Sequence, residues 1–314
     1  MNEKVIPTSV VSVNLSEEPI TTKIPVEQIE INDNGTLIND KSCAKNQQFC
    51  ILPEEEILNF NHDTDQSVKY GFLGEHFTVK GLDFDDLAPF DRIQIGEAIF
   101  EITKLATHRD PGDDNMMEYY GSYKLPKGSA LVRVVKGGKI RAGMAVEVKP
   151  KIFRAWVITL SDRISRGDMQ DFHGPKIKNL LSEFFIENNW KSNVELKVMA
   201  DDCDSLRFIL RRAREEGIDL VITLGGTGVG PRDITPDVVS SMMDKIIPGI
   251  MEHLRISFGK KDINALLSRG IAGITGNTFV ITLPGSVSTL NDYVLELLRI
   301  LKHLFFMQKG LDLH

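Results

Sequence analysis

Cysteine is scarce in this sequence. The 314 residues contain only Cys43, Cys50 and Cys203, an odd, sparse set that argues against a disulfide framework and fits a reducing compartment. Cys43 and Cys50 stand seven apart, which is no usual zinc spacing, and no second pair exists to complete a four-ligand site. Positive charge is not in excess either: 37 Lys and Arg face 44 Asp and Glu, a formal charge of −7. That balance argues against a nucleic-acid partner, although local N–H donors can still hold a small anion. No stretch approaches the roughly 18 apolar residues of a membrane span. The opening residues lack a basic region followed by a sustained apolar run. The expectation is a cytoplasmic protein with neither nucleic acid nor membrane as partner.

What is present is an ordinary globular mixture, 42% hydrophobic and 26% charged, in a chain long enough for two domains. Residues 1–150 read as mainly β. The segments 4–14, 77–80, 92–95, 98–103, 130–135 and 144–148 are short, rich in Val and Ile, and separated by Gly, Asp or Pro. This spacing predicts an antiparallel barrel or sandwich. Only 54–60 reads as helix, and the polar stretch 110–127 reads as a long loop or lid. Lys149-Pro150-Lys151 is a stiff, solvated linker.

Residues 151–314 change rhythm. Strands at 155–160, 194–199, 220–224 and 278–283 alternate with helices at 176–187, 204–216 and 287–306, each helix carrying an apolar face. Such alternation implies βαβ units in a mostly parallel sheet. Ligands bind beyond the carboxyl ends of such strands, so the loops there carry the chemistry. The strongest signal is Gly225-Gly226-Thr227-Gly228-Val229-Gly230-Pro231-Arg232-Asp233, directly after a strand. Four glycines in six residues let the backbone turn sharply and bring N–H groups against an anion. Thr235 is expected to N-cap the next helix, with Pro236 at its first position. No Gly-Lys-Ser/Thr follows, so this is not a P-loop.

Asp233 beside an anion cradle points to Mg²⁺ between carboxylate and phosphate, or to a cap on the loop. Asp201 and Asp202 leave the second strand at the same edge and offer either a Mg²⁺ ligand or a helix cap. Ser161 and Asp162, then Asp171 and Gly174 ahead of the first helix, suit an oxyanion-rich ligand or an ordinary polar loop. Pro284, Gly285 and Ser286 repeat the arrangement of strand, turn and helix start, with Ser286 as phosphate ligand or cap. His173 is a donor to a ligand or a packing residue.

These loops together resemble the molybdopterin adenylyltransferase family. The matching stretches are ITLSDRISRGDMQDFHGP, MADD, DLVITLGGTGVGPRDITPD, IPGIMEHLR, LSRGIAGI and VITLPGS, in the family's order across 155–303. The resemblance implies a three-layer α/β domain, a homo-oligomer such as a trimer, and transfer of AMP from ATP to molybdopterin with Mg²⁺, releasing pyrophosphate. It makes Asp201 and Asp233 the catalytic acids and Mg²⁺ ligands, and 225–228, with Thr227 and Gly228, the phosphate-binding segment. Leu224 stands where the family usually has Thr, His173 where Ser is common, and Val287 where Pro is frequent. The N-terminal half resembles the MOSC domain through 71–82, 87–96 and 100–103. That implies a β-barrel handling sulfur or the cofactor. The family's cysteine has no counterpart in 107–112, which leaves cofactor binding or a scaffold role, with Glu75, His76 and Arg109 as candidates. Readings other than catalysis are a molybdopterin carrier or scaffold, and molybdate insertion. Other molybdenum cofactor biosynthesis proteins are expected partners.

Overall fold

The protein is represented by a computed structural model that describes residues 8–16, 22–38, 48–65, 67–106, 117–120, 123–126, 128–285 and 290–311. The chain divides into two compact units, Met1–Lys151 and Ile152–Leu313. Among the described residues, no helix is long and apolar enough to cross a membrane.

The N-terminal unit runs β1 (Ser9–Leu15), β2 (Ile24–Val26), β3 (Gln28–Ile31), β4 (Phe49–Pro53), α1 (Glu54–Thr64), β5 (Phe77–Lys80), β6 (Arg92–Ile95), β7 (Ala98–Leu105), β8 (Met117–Tyr120), β9 (Tyr123–Pro126), β10 (Ala130–Lys136), β11 (Gly138–Arg141) and β12 (Val146–Lys149). Eight strands form one sheet in the order β12-β6-β7-β10-β4-β5-β1-β2. Alternate residues such as Phe49, Ile51, Phe77, Val79, Phe100 and Ile102 point into one core, the period of two that a half-buried sheet requires. Among the described residues of this unit, only β4 and β5 pair in parallel. A parallel pair cannot be joined by a hairpin, and α1 supplies the crossover.

One expectation stays unconfirmed here and one needs correction. Among the described residues no closed barrel is found: the sheet is open in order, although the Ser9 to Ala145 bridge and backbone hydrogen bonds from Val10 to Met144, Gly143 to Val10 and Val146 to Thr8 join the start of β1 to the segment before β12. The expected loop 110–127 contains the antiparallel pair β8 and β9.

The C-terminal unit runs β13 (Ile152–Leu160), α2 (Asp162–Ser165), α3 (His173–Glu187), β14 (Lys191–Met199), α4 (Cys203–Glu215), β15 (Leu220–Leu224), α5 (Thr235–Ser240), β16 (Lys245–Ile246), α6 (Pro248–Gly259), a 3₁₀ turn (Ile263–Leu267), β17 (Ala272–Thr275), β18 (Thr278–Leu283) and α7 (Leu290–Gln308). The sheet order is β14-β13-β15-β18-β17-β16. The first four strands are parallel and the last two antiparallel, so the expected mostly parallel sheet is a mixed one. The antiparallel return follows from the two-residue Gly276-Asn277 turn, with Gly276 at φ +58°, a turn that pairs neighbouring strands head to tail.

Both faces of this sheet are covered. From β13, Phe153 packs against Phe185 of α3 and Phe305 of α7 on one side. Trp156, Ile158 and Leu160 pack with Leu206, Leu210 and Val238 of α4 and α5 on the other. The result is three layers. The chain leaves β13 for β14 on one flank and then crosses to β15 on the other. The loops after β13 and β15 therefore diverge, and a crevice opens at the carboxyl rim between them.

Candidate functional site

Three loops meet at this rim, after β13, β14 and β15, and Asp162 ties them together. Its Oδ1 accepts the Asp201 N–H at 3.1 Å, and its own N–H donates to Asp201 Oδ2 at 3.4 Å. Its Oδ2 accepts Arg232 Nη1 at 3.2 Å from the third loop. Ser161 opens the first loop, with its hydroxyl capping α2 through the Ile164 N–H at 3.4 Å. Burial raises the Asp201 carboxyl above its usual range, and the charges of Asp162 and Asp233 add to that. The Asp162 N–H and the Arg232 guanidinium oppose it.

The turn after β15 is built on glycine. Gly225 has φ +115°, and a Cβ there would lie 2.4 Å from the Leu160 carbonyl oxygen, so no side chain fits. Gly226 has φ +61° and abuts Thr235 Oγ1 in the same way. One side of the turn is fully engaged. Arg269 donates its N–H to Thr227 O at 2.8 Å, Nε to Gly228 O at 2.8 Å and Nη2 to Asp233 O at 2.5 Å. It is held in turn by Asp237 at 2.9 Å. Asp233 Oδ2 closes the turn by accepting the Gly230 N–H at 2.7 Å. Among the described residues, the N–H groups of Gly226, Thr227 and Gly228 find no acceptor. A run of free N–H donors with its carbonyls turned away is an anion cradle.

A cavity of about 370 Å³ lies over this turn. Of the residues singled out from sequence, Ser161, Gly225, Gly226, Thr227, Gly228, Asp233, Pro284 and Gly285 line it. Asp162 and Asp201 stand behind the lining and interlock the loops. Asp171 and Gly174 do not line it but stand behind Thr159, which does. The Asp171 carboxylate accepts the His173 and Gly174 N–H groups at 3.0 and 2.9 Å and Thr159 Oγ1 at 2.7 Å, so it fixes the start of α3. His173 is the first residue of that helix. Asp202 caps α4 through the Ser205 N–H at 2.8 Å.

Thr235 corrects an expectation: it is not the N-cap of α5 but its first residue, after Ile234, and no side-chain cap is made. The Thr235 N–H is drawn onto Gly226 O at 3.1 Å, which starts the helix one residue early and moves Pro236 to the second position. Ser286 and Val287 lie outside the described residues. Sequence reading missed Arg269, although it sits in the quoted LSRGIAGI stretch, and it missed the cavity's other wall, with Ile164, Met169, Asn264, Leu267, Ser268 and Tyr293.

Among the described residues, no three His, Cys, Asp or Glu side chains converge as a metal cage. The donors at the rim are carboxylate oxygens crowded by like charge. They suit Mg²⁺, which takes one or two carboxylates, keeps its waters and completes its shell with phosphate. In the N-terminal unit, Glu75 and His76 are built into the fold. Glu75 Oε1 accepts the Gly71 N–H and Thr78 Oγ1, and His76 Nδ1 accepts the Cys50 N–H at 3.0 Å. Burial pushes the Cys50 thiol up to about 12, which makes it inert at neutral pH. Arg109 and Cys43 lie outside the described residues.

Two family models match the chain. One, described as "Probable molybdopterin binding domain", covers residues 156–303, and the MOSC domain covers 39–147. A molybdopterin adenylyltransferase of Helicobacter pylori strain J99 is 34% identical over 137 residues, spanning 43% of this chain and 76% of that protein. A molybdenum cofactor biosynthesis bifunctional protein of Synechococcus elongatus is 32% identical over 158 residues, spanning 50% of this chain and 48% of its own length. The crystal structure of a molybdopterin biosynthesis protein from Mycobacterium abscessus overlays with a TM-score of 0.46 at 31% identity, over 50% of this chain and 97% of that one.

Proposed function

We propose, from the premise that this chain belongs to the molybdopterin-binding family of molybdenum cofactor biosynthesis proteins, that its C-terminal unit transfers AMP from ATP to molybdopterin. A terminal oxygen of the molybdopterin phosphate attacks the α-phosphorus of ATP. The bond from that phosphorus to the β-phosphate bridging oxygen breaks, and pyrophosphate leaves. The nucleophile is already ionised at neutral pH, so the site has no need of a strong base. Positioning and charge neutralisation carry the step.

The observation that carries this reading is the row of partnerless N–H groups at Gly226, Thr227 and Gly228 in the wall of a cavity that Asp233 lines and Asp201 backs. Those donors hold phosphoryl oxygens and stabilise the charge that develops on them. Arg269 keeps the turn's carbonyls pointing away. Ser161, Pro284 and Gly285 shape the pocket, with Asp162, Asp171, Gly174 and Thr235 fixing the loops behind it. Asp201 and Asp233 would hold Mg²⁺, which when bound offsets the negative charge of the triphosphate. The MOSC-like unit binds the cofactor or serves as scaffold, and the active form is a homo-oligomer, a trimer on the family's pattern.

Incubation with ATP, Mg²⁺ and molybdopterin, followed by chromatography, tests the reading. Adenylylated pterin and pyrophosphate are expected in equal amounts. Molybdopterin binding with no ATP consumed would replace it with a carrier or scaffold role.

A further inference from the structure

We propose that the hydroxyl of Tyr293 recognises the hydrogen-bonding edge of the heterocycle that enters this cavity, and so selects the substrate. Tyr293 lies on α7 between the buried apolar residues Leu290 and Leu297, is itself only 2% exposed, and lines the cavity. Its ring meets Phe258 at 4.3 Å between centroids, so packing alone is satisfied by the ring. The hydroxyl is different: among the described residues it has no hydrogen-bond partner. Burying a phenol oxygen unpaired is unfavourable, and phenylalanine would fill the same space without that penalty. Several other buried side-chain atoms lack partners among the described residues, on Thr223, Thr235 and Trp156 for example, but of all of them Tyr293 alone lines the cavity. The orphaned hydroxyl belongs to a residue of the pocket wall but is itself closed off from the cavity space, so an occupant that pairs with it does so by a small shift of that wall.

The rest of the wall describes that occupant. The glycine turn offers N–H donors for phosphate. Ile164, Met169 and Leu267 offer apolar surface for a flat ring. The chemistry is therefore a phosphorylated, nitrogen-rich heteroaromatic molecule, its polar edge toward Tyr293. Purine and pterin both answer to it, and this inference rests on the function proposed above.

The test is Tyr293→Phe in the full chain. The ligand-free variant should melt at the parental temperature or above, because the lost hydroxyl had no partner. Its affinity for one heterocyclic substrate, ATP or molybdopterin, should fall by roughly tenfold, and whichever falls identifies the ring that meets Tyr293. Binding of inorganic tripolyphosphate, which has no ring, should be unchanged. Parental affinity for both ring-bearing substrates in the variant would overturn the role of Tyr293 while leaving the functional reading intact. A loss of melting temperature with equal weakening for all three would also overturn it, as the mark of a structural hydroxyl. A parent chain that bound none of the three would overturn the functional reading and this inference with it.

Discussion

Glu75 in the N-terminal unit and Asp201 in the C-terminal unit both have carboxyls held above the usual range, each chiefly by burial but among different partners. Glu75 is fully buried, one oxygen taken by Gly71 and Thr78 and the other without a partner among the described residues. Burial dominates its shift, and the nearby Lys23 charge, whose ammonium donates to the Gly74 carbonyl, works against it. Asp201 is half-buried at an open rim, and Asp162 and Asp233 crowd it with like charge. A carboxyl sealed among its own unit's donors pins a loop to a sheet. A carboxyl crowded by others at the edge of a cavity is paired for something the chain itself does not supply. The direction of a pKa shift is uninformative by itself here; the partners separate scaffold from site.

Replacing each acid should split them, and the largest effect belongs to Asp201. Asp201→Asn should lower adenylylation by on the order of 10²–10³-fold, the scale of losing one group that answers transition-state charge. Stability should hold or rise, since a repelled charge is removed. Tryptophan fluorescence reads this cleanly, because both tryptophans of the chain, Trp156 and Trp190, belong to the C-terminal unit. A variant with full turnover would place Asp201 with Glu75, as scaffold. Glu75→Ala should do the reverse. It strands the Gly71 N–H and the Thr78 hydroxyl in the core and should destabilise the N-terminal unit by about 2–3 kcal/mol, followed by circular dichroism in urea. ATP binding should be untouched.

Arg269 lies between these extremes, a strap that serves the fold and the cradle together. Arg269→Met removes the bonds to Gly228 O and Asp233 O, for about 1–2 kcal/mol of stability. The released carbonyls can then turn toward the phosphate, so the KM for ATP should rise roughly tenfold with a smaller change in kcat. An effect on kcat alone would show that the turn keeps its shape without the strap.

The same contrast explains what could be read in the sequence. β13 and β15 are dominated by apolar residues, with 155–158 and 220–222 as their unbroken runs, and α4 repeats Leu206, Leu210 and Ala213 on one face, so composition and period suffice. The glycine turn was legible because conformation restricts Gly225 to one residue type. β17 was missed because Ala272-Gly273-Ile274-Thr275 has little apolar bulk, although Gly276-Asn277 was an available hairpin signal. Asp171 looked like a ligand residue, but Thr159, twelve positions earlier, takes its second oxygen. Thr235 looked like a cap until Gly226 took its N–H. The orphaned hydroxyl of Tyr293 has no signature in sequence, because lacking a partner is a property of the packed state.

The smallest expected effect is a slope with pH, and it sharpens the comparison most. A carboxyl raised above its unfolded value binds more protons in the folded state. Its contribution to stability is complete below the unfolded pKa, about 4.3 for glutamate, and is lost as pH climbs to the folded value. His76 acts in the opposite sense. Burial, then the Lys23 charge, holds its imidazole well below the usual range, so its contribution is complete above about pH 6.5 and is lost as pH falls. These trends overlap in the parent chain, and Glu75→Gln, uncharged throughout, separates them. Relative to the parent, the glutamine variant should gain stability as pH rises from about 4.3 to the elevated folded value, then hold constant. Asp201→Asn should give a shallower difference of the same sign, since water screens a half-exposed group. Urea titrations across pH 4–8 measure both. A flat difference for Glu75→Gln would mean that the buried glutamate ionises as freely folded as unfolded, and the distinction between sealed and crowded carboxyls would fail.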